Sequence, residues 1–222
     1  MQDQRPAEMA ADQLAALLCA RLCHDLVSPV SALSAALSVL DDESSADMHE
    51  DAMDLVRDSS RQAQAKLEFA RLAYGAGGSA PATLDTRELR RLTEAMFAPS
   101  KPAIVWKVET PGLEKAAARL LLNLCVLAVE SVPRGGTVTI EATESGGGAR
   151  IRIVSEGPRA RLNADAVTAL EGQPPEGGYD GRSIQPYFAG LIARNAGGRV
   201  SAHADEERVE FVALVQAPAA AA

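Results

Sequence analysis

Aromatic side chains are scarce in this chain. Phe, Trp and Tyr together make up 4% of its 222 residues, while hydrophobic residues as a whole make up 47%. There is enough apolar material for a real core, in one domain or two small ones, and that core is aliphatic and helix-rich. Basic charge is also short. The chain has 22 Lys and Arg against 30 Asp and Glu, a formal net charge of −8, and no basic run exceeds Arg90-Arg91. A general nucleic-acid binder needs cations to displace phosphate counterions, so the balance argues against that class. Only three cysteines occur, Cys19, Cys23 and Cys125. An odd number, two of them one helical turn apart, is not a disulfide framework; it fits a reducing compartment, with the thiols serving as small buried hydrophobes. Cys19, Cys23 and His24 lack the further ligand a metal site needs, so no metal is expected. Long apolar runs are missing as well. The most apolar stretch, Leu120 to Val129, is about half of what spans a bilayer and contains Asn123. Met1 to Glu8 has no basic segment leading into an apolar one, so no signal peptide is read. The expectation is a soluble, cytoplasmic chain with neither nucleic acid nor membrane as partner.

What is present divides at Gly75 to Pro81, a Gly/Ser/Pro segment that reads as a linker. Residues 1–75 read as two helices, about Ala7 to Leu40 and about Ala46 to Tyr74. Leu18, Leu22, Leu26, Val30, Leu33, Leu37 and Leu40 step by three or four and form one apolar stripe; Ala52, Val56, Ser59, Ala63, Leu67, Ala70 and Tyr74 form the other. The short turn between them makes an antiparallel hairpin. Two helices cannot hide both flanks of such stripes, so a second hairpin is expected to complete a four-helix bundle in a homodimer. Residues 82–217 mix the two periodicities. Helices are expected at Thr86–Phe97 (with a capping box of Asp85 and Glu88), Glu114–Val132, after Asn163, and at Ile184–Asn195. Strands are expected at Ile104–Val108, Thr137–Thr143, Arg150–Ser155, Val200–His203 and Val209–Val215, with a hairpin turn at Gly146 to Gly148. This is an α+β layer, a sheet with helices on one face. Residues 218–222 read as a frayed tail.

His24 lies two residues from Leu22 and two from Leu26. Each such step is ~200°, so the ring points away from the apolar stripe. Arg21, Ser28 and Ser31 share its side, and with Leu17 they form the expected partner-docking surface. An exposed imidazole has a near-neutral pKa and a free lone pair, which suits nucleophilic carriage of a phosphoryl group. Asp25 is placed to hold the ring's tautomer or handle its proton, and Arg21 to steady phosphoryl oxygens. Pro29 removes an amide from the same helix and clashes with the carbonyl of Asp25, so the local rule is broken at the histidine turn. His49, expected in the helix–helix turn, and His203, in a late strand, carry no such pattern and are read as ordinary surface histidines.

The run His24-Asp25-Leu26-Val27-Ser28-Pro29 resembles the phospho-acceptor box of sensor histidine kinases. The second part resembles the ATP-binding, Bergerat-type domain of the same kinases: Leu121-Leu122-Asn123-Leu124 with Ala128 resembles the asparagine-box helix, and Ala193 to Val200, with Gly197-Gly198, the last helix and its turn. The departures matter. Leu127 stands where the kinases ligate magnesium with an asparagine, and an alkyl side chain cannot bind a cation that demands oxygen. Ser155 stands at the position of the adenine-binding Asp, with only Gly157 beside it, and Gly181 to Pro186 lacks the glycines of a phosphate lid.

A phospho-acceptor joined to a degenerate ATPase-like α/β sandwich resembles the ChpT-type histidine phosphotransferases of alphaproteobacteria. That resemblance covers nearly the whole chain, including Arg21 to Asp25 and Gly157 to Leu162. It implies a homodimer that accepts phosphoryl groups from the receiver domain of a hybrid kinase and delivers them to cell-cycle response regulators. It implies no ATP and no cofactor of the chain's own, the Mg2+ sitting on the partner receiver. Two other readings stand beside it: an ATP-dependent kinase with a divergent pocket, and a non-catalytic adaptor that sequesters a kinase or receiver.

Overall fold

The structure is a computed structural model that describes residues 8–75, 83–145 and 148–216. Residues 76–81 of the expected linker, Gly146 and Gly147 of the expected hairpin turn, the first seven residues of the chain and the expected tail therefore lie outside the described residues. The chain begins with two long helices, α1 (Ala11–Leu40) and α2 (His49–Ala73), joined by a 3-10 turn (Glu43–Met48). Asp42 caps that turn by accepting from the Ser44 amide at 2.9 Å. His49 is the first residue of α2 and not part of the turn, and its Nε2 lies 3.4 Å from the Asp42 carbonyl.

After the hairpin come β1 (Thr83–Asp85), α3 (Thr86–Phe97), β2 (Ala103–Trp106), β3 (Gly112–Glu114), α4 (Lys115–Glu130), β4 (Thr137–Ser145), β5 (Gly148–Glu156), α5 (Ala164–Leu170), α6 (Ile184–Asn195), β6 (Arg199–Asp205) and β7 (Arg208–Gln216). The main sheet has the order β2-β4-β5-β7-β6, parallel between β2 and β4 and antiparallel elsewhere. Two three-residue strands, β1 and β3, pair antiparallel beside it and were not expected from the pattern. Asp85 caps α3 by accepting from the Arg87 amide at 2.8 Å, but Glu88 pairs with Arg91 and does not reach back, so only half of the expected box forms. Asn163 caps α5 through the Asp165 amide. Helix α6 stops at Gly197, whose φ of 65° is natural for glycine. A Cβ on the next residue, Gly198, would sit 1.8 Å from the Leu214 carbonyl, so only glycine fits where the chain turns into β6.

Alternate residues of the strands point inward: Val138 and Ile140, Ile151 and Ile153, and Val209, Phe211 and Ala213 are buried against α4 and α6. The same cluster takes in Phe69 and Ala73 of α2, and Phe69 meets Phe97 edge-on at 5.9 Å. Hairpin and sheet domain thus share one core. A buried polar chain reinforces the seam. Asn123 of α4 donates to the Ala73 carbonyl at 3.1 Å and accepts from Gln185 of α6 at 2.7 Å, and Gln185 accepts from the Tyr74 hydroxyl at 2.7 Å. Burial pushes the Tyr74 phenol up to about 12, so it remains a donor.

Within the hairpin the seam differs from the leucine stripe. Besides Phe69 and Ala73, the buried residues are Pro29 and Ala36 of α1 and Ala52, Ser59 and Ala70 of α2; Leu18, Leu22, Leu26, Leu33 and Leu40 are partly buried, while Val30, Leu37 and Leu67 are about half exposed. Small residues allow close approach of the two helices, and Val30, Leu37 and Leu67 are displaced to the flank. The cysteines depart from expectation in the same way: Cys125 is buried and its thiol raised by desolvation, but Cys19 and Cys23 are exposed along that flank.

Candidate functional site

Helix α1 runs unbroken through Pro29. Because proline has no amide, the carbonyl of Asp25 loses its helical donor. Lys66 of α2 supplies the replacement, its Nζ donating to the Asp25 carbonyl at 2.6 Å. The turn that carries His24 is therefore fastened to the second helix at the point where its own hydrogen-bond ladder is broken. Replacing Lys66 with alanine should cost about 1–3 kcal/mol, the penalty for stranding a half-buried carbonyl. Chemical denaturation checks this, and an unchanged midpoint would mean that water serves the carbonyl equally well.

The His24 side chain is 84% exposed. Its Nδ1 lies 3.3 Å from Oδ1 of Asp25, whose other oxygen accepts from Arg21 Nε at 3.2 Å. Arg21 Nη2 then donates to Glu130 Oε1 of α4 at 2.5 Å. Arg21 is only 12% exposed. Burial works to lower its pKa, but Glu130 and Asp25 outweigh that and hold the guanidinium above its ordinary range. One positive charge between two carboxylates has little left to offer a phosphoryl group, so the geometry ties Arg21 to the second domain and not to the open face.

The remaining expected docking residues separate. Ser28 and Ser31 are exposed on the His24 side of α1. Leu17 is partly buried and packs against the cluster of Ala169, Ile184 and Tyr187, where Leu14 and Leu18 join it and the Met9 amide donates to the Tyr187 hydroxyl at 2.9 Å. Leu17 belongs to the seam between the domains and not to a free surface. Lys66 and Glu130 are the site residues that sequence reasoning missed. Only Pro29 signalled that some donor was needed near Asp25.

Between α1 and the second domain lies an open cleft of about 620 Å³, lined by His24, Arg21, Leu127, Arg161, Arg182 and Pro186 among others. Among the described residues, neither Arg161 nor Arg182 is salt-bridged, and both are exposed. The residues of the kinase-like boxes have structural partners here. Leu127 turns an alkyl wall to the cleft, the Ser155 hydroxyl donates to the Ala128 carbonyl at 2.8 Å, and Gly157 is required because a Cβ would sit 2.3 Å from the Gly135 carbonyl. Among the described residues no group of His, Cys, Asp and Glu is arranged to hold a metal ion.

Helix α1 is long and apolar enough to cross a membrane by length and composition, a property that the apolar runs of the sequence predict for no segment. Arg21 and Asp25 sit near its middle, where each charge would cost about 3 kcal/mol in hydrocarbon. Its polar side is instead held to α4 by the Arg21–Glu130 pair.

A family model described as histidine phosphotransferase C-terminal domain matches residues 86–208. The chain is 38% identical over 208 residues to the protein phosphotransferase ChpT of Brucella abortus (strain 2308), covering 94% of this chain and 98% of that protein. A solved structure of a bacterial phosphotransferase, 34% identical, superposes with a TM-score of 0.84 over 95% of this chain and 100% of that one. A more remote likeness, to the catalytic domain of the histidine kinase ThkA, has 15% identity and a TM-score of 0.46 over 60% of this chain and 93% of that one. With an exposed histidine on a helical hairpin, a family model matched over more than half of the chain, and relatives alike over nearly their full length, the chain belongs to the histidine phosphotransferase family.

Proposed function

We propose that the chain is the histidine phosphotransferase of a multistep relay. It takes a phosphoryl group onto His24 from the aspartyl phosphate of a hybrid kinase's receiver domain and gives it to the receiver aspartates of response regulators. The observation that carries this reading is the His24 ring, open to solvent at the mouth of a cleft with Nδ1 turned to Asp25. A proton on Nδ1 leaves the Nε2 lone pair free. Nε2 attacks phosphorus in line, the P–O bond to the aspartate breaks, and its electron pair leaves with the carboxylate; delivery runs the same step backwards. Charge on the transferring group is balanced by the Mg2+ of the partner receiver, since the chain brings no cofactor of its own. Ser28 and Ser31 border the docking face on α1, and Arg161 and Arg182 offer exposed positive charge to an acidic receiver from across the cleft.

The chain does this without ATP. Leu127 has no lone pair for magnesium, and Ser155 and Gly157 are occupied by contacts within the fold. It works in the cytoplasm, which suits its free thiols, and as a homodimer. Val30, Leu37 and Leu67 are exposed large hydrophobes that two hairpins would bury on each other. Val30 is six residues from His24, ~120° around the helix, so the second hairpin leaves the ring uncovered. Val30→Glu combined with Leu67→Glu should convert the dimer to monomers in sedimentation equilibrium. A wild-type chain that sediments as a monomer at micromolar concentration would end the bundle reading.

The test of the main proposal mixes the purified chain with a phosphorylated receiver domain of a hybrid kinase and, separately, with labelled ATP and magnesium. Label arriving from the receiver and not from ATP is the expected result. Label arriving directly from ATP would make the chain a kinase.

A further inference from the structure

Building on the phosphotransfer reading, we infer that Glu130, in the second domain, is a positioning residue for His24. Four side chains form one hydrogen-bonded chain across the seam. Glu130 holds Arg21 at 2.5 Å, Arg21 holds Asp25 at 3.2 Å, and Asp25 faces His24 Nδ1 at 3.3 Å. Each member limits the next. Asp25 has two oxygens; Arg21 engages one and so leaves the other directed at the imidazole. Arg21 in turn has a long flexible stem, and on α1 alone its guanidinium could swing around Asp25 or out to solvent. Glu130 fixes the far end of the guanidinium, so the fork lies along a line from α4 to α1. The result is an imidazole whose Nδ1 is preferentially protonated and whose Nε2 points to the cleft.

This gives the second domain a task besides offering a surface to receivers. Its kinase-like α4 reaches the phospho-acceptor through a carboxylate three residues beyond Leu127, the residue that faces the empty side of the cleft. The backbone side of the same turn is held separately by Lys66. The histidine is thus oriented from both sides, its peptide by α2 and its ring by α4.

Glu130 is half exposed, so its substitution is expected to leave the fold intact, which a melting curve confirms. Two measurements read positioning and not stability. The first is the tautomer of His24 from its ring nitrogen shifts in long-range 1H–15N spectra, a clean signal because the chain has three histidines. The wild type should show the Nδ1-protonated form in excess, and Glu130→Ala should move the balance toward the Nε2-protonated form. The second is the rate of phosphotransfer from a phosphorylated receiver. Glu130→Ala should lower kcat by ~10–100-fold, as small misplacements of a reacting group do, with KM unchanged. Glu130→Gln, which keeps an oxygen to accept from Arg21, should recover most of the rate. A Glu130→Ala protein with wild-type tautomer balance and rate overturns the inference, and a loss confined to KM overturns it too, because Glu130 would then serve docking. Failure of the phosphotransfer reading itself is distinguishable: the wild type would then take no label from any receiver.

Discussion

His24→Ala is expected to bring phosphoryl acceptance down to background while leaving the melting temperature within about 2 °C of wild type. The two halves of this expectation rest on different observations. Loss of transfer follows because no other described imidazole is placed to substitute. His49 opens α2 at the far end of the hairpin and His203 lies in β6, and neither lines the cleft. Retained stability follows from the ring's exposure, which leaves the 3.3 Å approach to Asp25 as its one hydrogen-bonding contact among the described residues, and from alanine being the better helix former. Labelling by a phosphorylated receiver, followed by acid lability of the adduct and a thermal scan, measures both. Label retained on the alanine variant would place the phosphoryl group elsewhere. A large drop in melting temperature would mean that the ring is needed for packing.

Asn123→Ala should have the opposite signature, a large loss of stability arising far from the reacting ring. Asn123 and Gln185 are both fully buried. Truncation leaves the Gln185 amide without its acceptor and the Ala73 carbonyl without this donor, at about 1–3 kcal/mol for each stranded group. The sum corresponds to a fall in melting temperature on the order of 10 °C for a chain of this size. The nearby Arg119 guanidinium does not rescue the carbonyl. It is already half buried, its pKa lowered by desolvation, reaching Ala73 and Tyr74 only at 3.4 Å while it lies over the Phe188 ring. Circular dichroism melts decide the matter: a shift under about 2 °C would show that water fills the gap without penalty.

How far the sequence could be read depended on what each feature needs. Helices α3 and α6 were legible to the residue because their ends are local chemistry: Asp85 caps one, and Gly197 with Gly198 stops the other. The long strands announced themselves by alternation. The three-residue strands β1 and β3 did not, because three residues hold too little periodicity. His24, Asp25 and Pro29 were legible as one broken pattern on one helix. Lys66 and Glu130 were not, being 41 and 109 residues from their partners Asp25 and Arg21, a distance no spacing rule spans. The leucine stripe misled about the hairpin seam for a related reason. Periodicity reports which residues are apolar on one side of a helix, but not which of two apolar neighbours sits against the partner. Ala52, Ser59 and Ala70 of the expected α2 stripe are buried, the leucines of α1 are mostly half-buried, and Val30 and Leu37, with Cys19 and Cys23, were left exposed on the flank.

The core that runs from Phe69 and Ala73 of α2 into the sheet has a thermodynamic consequence. A chain whose two parts share buried side chains cannot lose one part without exposing apolar surface on the other. Heat absorption should then appear as a single cooperative peak with equal calorimetric and van't Hoff enthalpies, and not as two steps. A second domain that swung away from the hairpin would require that core to open each time. In this chain the hairpin that carries the histidine and the domain beside it are held together by buried side chains, and separating them exposes apolar surface on both.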